Sequence, residues 1–401
     1  MRTLSPRLAY VLVGSVIGLG LFASATPSPL YETYRELWGF SPVVLTLVYA
    51  TYAFGVLTAL LLAGSASDAI GRRPVLLLAL GALMVTTVLF MLADSVAWLF
   101  VARGLQGLAT GLALAAAAAA LLDLHPRRDT AGVGLTNGVA SSAGIGLGAL
   151  VASALVQLAP APRVLPYALL LVLFAIAFAG ALRMPEPVAA RSRLRLRPQR
   201  PSVPPSVRRP FLHAALGVIS SWSLGGLFLA LGPALSAGVF DSTNHLVDGI
   251  GIFLLAGAGS LAQLAFGRTA PWAGTAGGSV ALAVGLLMIS VAASADSGAW
   301  LVAGATIGGL GFGVAFLGAL RNLSAAIPNE QRAAVMSAFY IVAYLSLSVP
   351  AILAGVLVTP LGLQSTFELF AAVLAAVALV LAFEAWRSRP RAGAAIATEL
   401  G

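Results

Sequence analysis

Apolar residues run along this chain in long unbroken stretches separated by short polar or charged breaks. Each stretch is close to the roughly 20 residues that a helix needs to cross a hydrocarbon core. Twelve can be marked: 8–25, 43–63, 75–93, 98–122, 131–158 and 164–182, then, after a longer break, 211–236, 246–267, 275–294, 299–321, 333–358 and 365–386. They are continuously apolar rather than alternating, which predicts helices and excludes a closed transmembrane barrel.

Composition agrees with the pattern. Of 401 residues, 59% are apolar and 9% charged, with mean hydropathy +0.97, against about 45–50% and about 25% in soluble domains. No soluble fold hides that much apolar surface, and disorder is excluded for the same reason. The arginines test the span count independently. With twelve spans, Arg2, Arg7, Arg72, Arg73, Arg127, Arg128, Arg183, Arg191, Arg193, Arg195, Arg197, Arg200, Arg208, Arg209, Arg268, Arg321, Arg332, Arg387, Arg389 and Arg391 fall on one side, 20 of 23. The other side receives Arg35 and Arg163, and Arg103 lies inside a span. Such a split is what the positive-inside rule demands, so both termini are expected in the cytoplasm. Arg2, Arg7 and the small run Ala23-Ser24-Ala25 also read as a cleavable signal peptide; cleavage would leave eleven spans and break the repeat described next.

Composition also removes chemistries. All 23 basic residues are Arg, so neither a phosphate-binding lysine nor a lysine nucleophile exists. With no Cys there is no disulfide or thiolate, and His125, His213 and His245 are far apart in sequence. An intramembrane enzyme would need convergent nucleophile, base or metal ligands; neither cofactor nor metal is expected. The net charge of +9 belongs to one membrane side rather than to a nucleic-acid surface.

At a shift of 202 residues the halves match: Ala93-Asp94-Ser95-Val96-Ala97-Trp98-Leu99 falls on Ala295-Asp296-Ser297-Gly298-Ala299-Trp300-Leu301. Gly107 meets Gly309, Gly111 meets Gly313 and Pro126 meets Pro328 at the same offset. The chain therefore reads as a duplicated unit: a six-helix bundle over 1–182, an Arg/Pro-rich cytoplasmic linker over 183–210, and a second six-helix bundle with a short tail over 211–401. The linker sets eight arginines against one acid, Glu186, and its prolines oppose regular helix. It reads as a solvated segment at the lipid headgroups.

The loop between spans two and three reads Gly64-Ser65-Ala66-Ser67-Asp68-Ala69-Ile70-Gly71-Arg72-Arg73-Pro74. It resembles the G-x-x-x-D-x-x-G-R-[RK] signature of the major facilitator superfamily, with every fixed position present. The resemblance implies an all-α fold of twelve helices in two pseudo-symmetric bundles, and transport by alternating access. It assigns Gly64, Asp68, Gly71, Arg72 and Arg73 to a gating loop, in which Asp68 holds the cytoplasmic ends of the halves together. The second half carries a decayed copy, Phe266-Gly267-Arg268-Thr269-Ala270-Pro271, without the Asp or the double Arg, which implies asymmetric gating. Arg103-Gly104-Leu105-Gln106-Gly107 in span four resembles the R-x-x-Q-G motif of proton-coupled members, whose Arg tunes a nearby protonatable group. An Arg within a span costs about 2.5–3.5 kcal/mol on the insertion scale; the alternative is that Arg103 snorkels to the outer surface. Span five keeps the glycines of the drug:proton antiporter element (Gly138, Gly144, Gly146, Gly148) but lacks its proline, while Ser348-Val349-Pro350 to Gly355 in span eleven looks more like that element.

For a solute cavity the candidates are Gln106, Asn137, Ser141, Trp222, Gln263, Tyr340 and Tyr344, polar or aromatic groups within spans. Ser337, Tyr340, Tyr344 and Ser348 share one helix face, as do Asn137, Ser141, Gly144 and Gly148. Such a set suits a hydrophobic or neutral amphiphile. Coupling candidates are Arg103, Asp248, Glu368 and Glu32, the three acids lying near outer span ends or in the first outer loop. Asp123, His125 and Asp129 read as surface groups. The expected function is proton-coupled efflux of hydrophobic drugs or metabolites by a monomer in a bacterial inner membrane; a narrow sugar or small-solute permease is the alternative. Asp68→Asn is expected to leave the protein folded in the membrane and to cut transport severely. Unchanged transport at normal expression would remove the latch.

Overall fold

A computed structural model describes residues 3–188 and 200–389 of the chain. Arg2, Arg191, Arg193, Arg195, Arg197 and Arg391, with most of the tail, lie outside the described residues. No strand occurs among the described residues. The helices are α1 (Pro6–Ala25), α2 (Tyr31–Trp38), α3 (Pro42–Ala63), α4 (Ala66–Ile70), α5 (Arg72–Met91), α6 (Val96–Leu124), α7 (Thr130–Leu158), α8 (Leu165–Ala181), α9 (Arg208–Phe240), α10 (Leu246–Phe266), α11 (Pro271–Ser294), α12 (Gly298–Ala326) and α13 (Arg332–Arg387). Local sequence sets several starts. Ser5-Pro6 and Ser41-Pro42 place a capping hydroxyl before a proline at the first helical position, and Asp129 caps α7 through the Ala131 amide.

Ten of these helices are long and apolar enough to cross a membrane, and α8 is a shorter apolar helix of 17 residues. The twelfth crossing is inside α13. Its 56 residues were expected as two spans with a loop between, and they form one element broken at a single residue, Gly362, with φ 81° and ψ 164°. That left-handed φ is open to glycine and strained for other residues. The second arm doubles back along α9: Phe367 sits 6.3 Å from Phe228, and further on Glu384 comes within 3.9 Å of His213. The fold is thus the expected all-α membrane protein in two six-helix bundles. The face carrying the start of α1, the linker and the end of α13 is called the linker face, and the opposite one the far face. Unforeseen was α2, a short helix where the first far-face loop was expected.

The repeat is a packing repeat. Helices α6 and α12 both have 29 residues, and both ends of one lie 202 residues from those of the other. In the first half α6 packs on α1, α3 and α5; in the second α12 packs on α9, α10 and α11. Small residues set the distance. A Cβ at Gly107 would lie 2.2 Å from the Tyr52 carbonyl oxygen of α3, and one at its counterpart Gly309 would lie 2.3 Å from that of Leu255 on α10. Where lipid removes any hydrophobic drive between helices, such close backbone approach is what holds them together.

The halves meet mainly along two crossings, α3 with α13 and α7 with α10. Both are tight toward the far face. Gly355 of α13 sits on Thr46 and Pro42, and Gly249 of α10 on Ser153 and Ala149 of α7. Residues 22–31 and 226–233 are all buried, so the far face is shut. Toward the linker face Asn137, Ser141, Trp222 and Tyr340 remain half-buried.

Gly107→Ala and Gly309→Ala should each lower thermal stability in detergent by an amount typical of overpacking, about 1–3 kcal/mol. Gly134→Ala and Gly277→Ala, where an added Cβ meets nothing within 4 Å, should leave the melting curve unmoved. Equal effects at the four positions would contradict the packing account.

Candidate functional site

Three groups of side chains carry chemistry here, and the signature loop comes first. Gly64 closes α3, Asp68 lies in the one-turn helix α4, and Gly71 at φ 107° precedes α5. The Arg72 guanidinium is buried and gathers the loop. Its Nη1 donates to Asp68 Oδ1 at 2.5 Å and to Ser67 Oγ at 2.8 Å, and its Nε donates to Asp123 Oδ2 at 2.9 Å. Asp123, expected as a surface group, is therefore part of the loop's ion-pair set. Arg73 donates to the Leu182 carbonyl. Glu186 completes the arrangement from the start of the linker: its carboxylate accepts from the backbone amides of Arg72 (2.9 Å), Arg73 (3.0 Å) and Val188 (3.1 Å). It caps the N-terminus of α5, whose own preceding residue is a glycine without a capping side chain. A Cβ at Gly71 would stand 2.5 Å from Glu186 Oε2, so the glycine also makes room for that cap. Each of these partners belongs to the first half or to the start of the linker. The Asp68 side chain is 62% exposed and pairs with Arg72. In the second half Arg321 of α12 ties the decayed loop by donating to the carbonyls of Gly267 and Thr269.

The second group surrounds Arg103. It is fully buried, which overturns the alternative that it snorkels to the surface. Its Nε donates to Tyr31 Oη at 2.8 Å, and Nη1 donates to the Ser24 carbonyl at 3.0 Å and to Gln106 Oε1 at 2.8 Å; Nη2 also reaches Tyr31 Oη. Gln106 in turn donates to the Ala23 carbonyl, so its amide binds α6 to α1. The rings of Tyr31, Tyr52 and Phe90 stand 5.4, 5.4 and 5.9 Å from the guanidinium carbon. Beyond them Tyr34 donates to Tyr167 at 3.2 Å. Burial raises the phenols of Tyr31 and Tyr34 in α2, Tyr34 to about 12, so both are neutral groups beside the cation. Sequence spacing gave no sign that Tyr31 belonged to this site, because it reaches Arg103 from a different helix.

The coupling candidates separate. Asp248 is buried in the first turn of α10, and its Oδ2 lies 2.8 Å from His245 Nδ1. The His245 amide donates to Gln157 of α7, placing this pair on the crossing between the halves. Glu32 is paired with Arg35 within α2. Glu368 is half-buried and accepts from Gln364 at 2.9 Å. Among the cavity candidates, Trp222, Tyr340 and Tyr344 form an aromatic group with Leu57 and Leu60 of α3, and the rings of Trp222 and Tyr344 meet edge-on at 5.4 Å. Asn137 and Ser141 are half-buried neighbours, 3.4 Å apart on α7. Gly144 and Gly148, expected on that same face, pack on the backbone of α1. Gln263 is buried against Ser142 in the α7–α10 crossing.

Comparisons with known proteins agree with this architecture. The family model described as Major Facilitator Superfamily matches residues 11–346. No curated protein matches the chain by sequence. Among solved structures, the crystal structure of the human organic anion transporter MFSD10 (TETRAN) is similar with a TM-score of 0.68 and 20% identity, covering 94% of this chain and 100% of that one. At that identity the likeness concerns the fold.

Removing the cap with Glu186→Ala should speed amide exchange at Arg72 and Arg73 and cost about 1 kcal/mol, in the range of lost helix caps. Exchange mass spectrometry of the peptide spanning Gly71 to Val75 reads it. Unaltered exchange there would show that the contact does not hold the loop.

Proposed function

The chain belongs to the major facilitator superfamily, a family of transporters and not of enzymes, and on that premise we propose that this secondary transporter exports hydrophobic or amphiphilic compounds in exchange for protons. The observation that carries this reading is the contrast between the two faces. The far face is shut, whereas the half-buried groups between the bundles, Asn137, Ser141, Trp222 and Tyr340, lie toward the linker face and are aromatic or weakly polar. Such a lining favours an apolar solute captured from the linker side. The arginine asymmetry puts that side in the cytoplasm, so the captured solute leaves the cell; a bacterial inner membrane is the setting proposed. The bundles are taken as 1–182 and 211–401 with the linker between, acting as a monomer.

Alternating access follows from the two crossings. Opening the far face requires parting Gly355 from Thr46 and Gly249 from Ser153, while the linker ends of the bundles close. In that closed state Asp68, whose side chain is now mostly exposed, becomes free to bond across to the second half, with Arg72, Asp123 and Glu186 keeping the loop in shape. Asp248 is the proton carrier proposed, because it is the coupling acid that is both buried and on a crossing that must open. One observation favours the narrower permease: among the described residues no carboxylate lies in the middle of a span.

Efflux of a panel of fluorescent hydrophobic compounds from cells expressing the chain should collapse when a protonophore is added. Asp248→Asn should abolish this sensitivity while the protein still reaches the membrane. No efflux of any compound at normal expression would turn the reading to the permease, and uptake of labelled sugars and amino acids would then decide.

A further inference from the structure

Arg103 is a full positive charge in the interior of a transmembrane bundle, and its bonded partners are neutral. Among the described residues no carboxylate pairs with it: Glu32 is engaged by Arg35 and Asp248 by His245. The acceptors it does have are the Tyr31 phenol, one backbone carbonyl and one amide oxygen. A buried charge lacking a counter-ion is costly even where carbonyls and aromatic faces surround it. Each surrounding hydroxyl brings a proton to donate as well as lone pairs to accept. Tyr49 Oη, within the field of Arg103, and Ser28 Oγ, three residues before Tyr31, are both buried with no hydrogen-bond partner. The cluster thus has surplus donors and surplus positive charge, which one anion would satisfy together.

A cavity shares Tyr31 with this cluster. It has a volume of about 170 Å³ and lies between the halves at the far face. Ser28, Tyr31, Leu45 and the mutually paired Glu32 and Arg35 line it from the first half, and Leu231, Val358 and Leu363 from the second. Tyr31 is the shared wall, with its residue in the cavity lining and its hydroxyl on Arg103. We propose that Arg103 is the receptor for the head group of an organic carboxylate, reached from this cavity when Tyr31 gives way, with Tyr49 and Ser28 as further donors. The solute's apolar body lies against Leu45, Leu231 and Val358. This rests on the transporter reading above and narrows its solute from an amphiphile in general to one carrying a single negative charge. It also gives Arg103 a part separate from proton coupling: binding the solute rather than tuning an acid.

The test uses the full chain, purified into phosphatidylcholine nanodiscs so that no anionic lipid competes. Thermal stabilisation is titrated with phenylbutyrate and with the isosteric phenylbutyramide. The carboxylate should act at a concentration about tenfold lower than the amide, the scale of a charge-assisted over a neutral hydrogen bond. Arg103→Lys should keep part of that preference, since it retains the charge but not the fork. Tyr49→Phe should lower the carboxylate's affinity several-fold and leave the amide's unchanged. Because the Tyr49 hydroxyl has no partner in this structure, a purely structural role predicts no effect of that substitution on binding. Equal stabilisation by acid and amide, or a Tyr49→Phe variant that binds phenylbutyrate like the parent, would overturn the proposal. The readout is binding, so a protein that binds the carboxylate but transports nothing would sink the transporter reading alone.

Discussion

In hydrocarbon, apolar side chains gain nothing by leaving one apolar neighbour for another, so the distance of closest backbone approach decides which helices stay together. Glycine sets that distance throughout this chain. It does so within each half, where Gly107 and Gly309 bring α6 and α12 onto their partners, and between the halves, where Gly249 and Gly355 close the far face. The same device therefore builds the rigid bundles and the seam between them. The two uses differ in what else is present. Inside a half, each glycine contact is one of several helix pairs around a common core. Across the seam, mainly two helix pairs share the burden, which is why the seam can part while the bundles hold.

Much of this is legible in the sequence. Apolar run length fixed the spans to within a few residues, because a membrane leaves a helix little freedom in length. The 202-residue offset reappeared in the ends of α6 and α12 because duplicated segments keep their packing glycines. The signature loop was recognisable residue by residue. What escaped were relations between segments distant in sequence. In sequence Glu186 is the lone acid of an arginine-rich linker, and in the fold it is a helix cap for residues more than a hundred positions earlier. Asp123 reads as surface and Tyr31 carries no pattern in sequence; both acquire meaning only when α6 and α2 are folded against their partners. Gln106 and Gln263 were chosen as polar groups within spans, and the structure spends both on helix contacts. Periodicity says which face a residue occupies, and it is silent on which neighbour that face meets.

The Arg103 surroundings show how tyrosine serves a membrane interior. A phenol offers an apolar ring to lipid-like packing and one hydroxyl to a polar partner, so a cation can be enclosed without a fixed negative charge. Such an enclosure is stable enough to form and poor enough in acceptors to welcome one. A paired carboxylate in the same place would have satisfied the arginine permanently. Among the described residues, the absence of a bonded acid at Arg103 and the pairing of Glu32 and Asp248 elsewhere are thus two sides of one arrangement.

The joint at Gly362 has a mechanical consequence. The two arms of α13 are connected by a single residue, which leaves no slack between them. The first arm lies against α3 across the seam, and the second runs back along α9. Displacement of the first arm cannot be absorbed at the joint, so it is handed to the second and through it to the body of its own bundle. The arm at the seam works as one end of a lever whose fulcrum is one glycine, and the second bundle must turn as a unit or not at all.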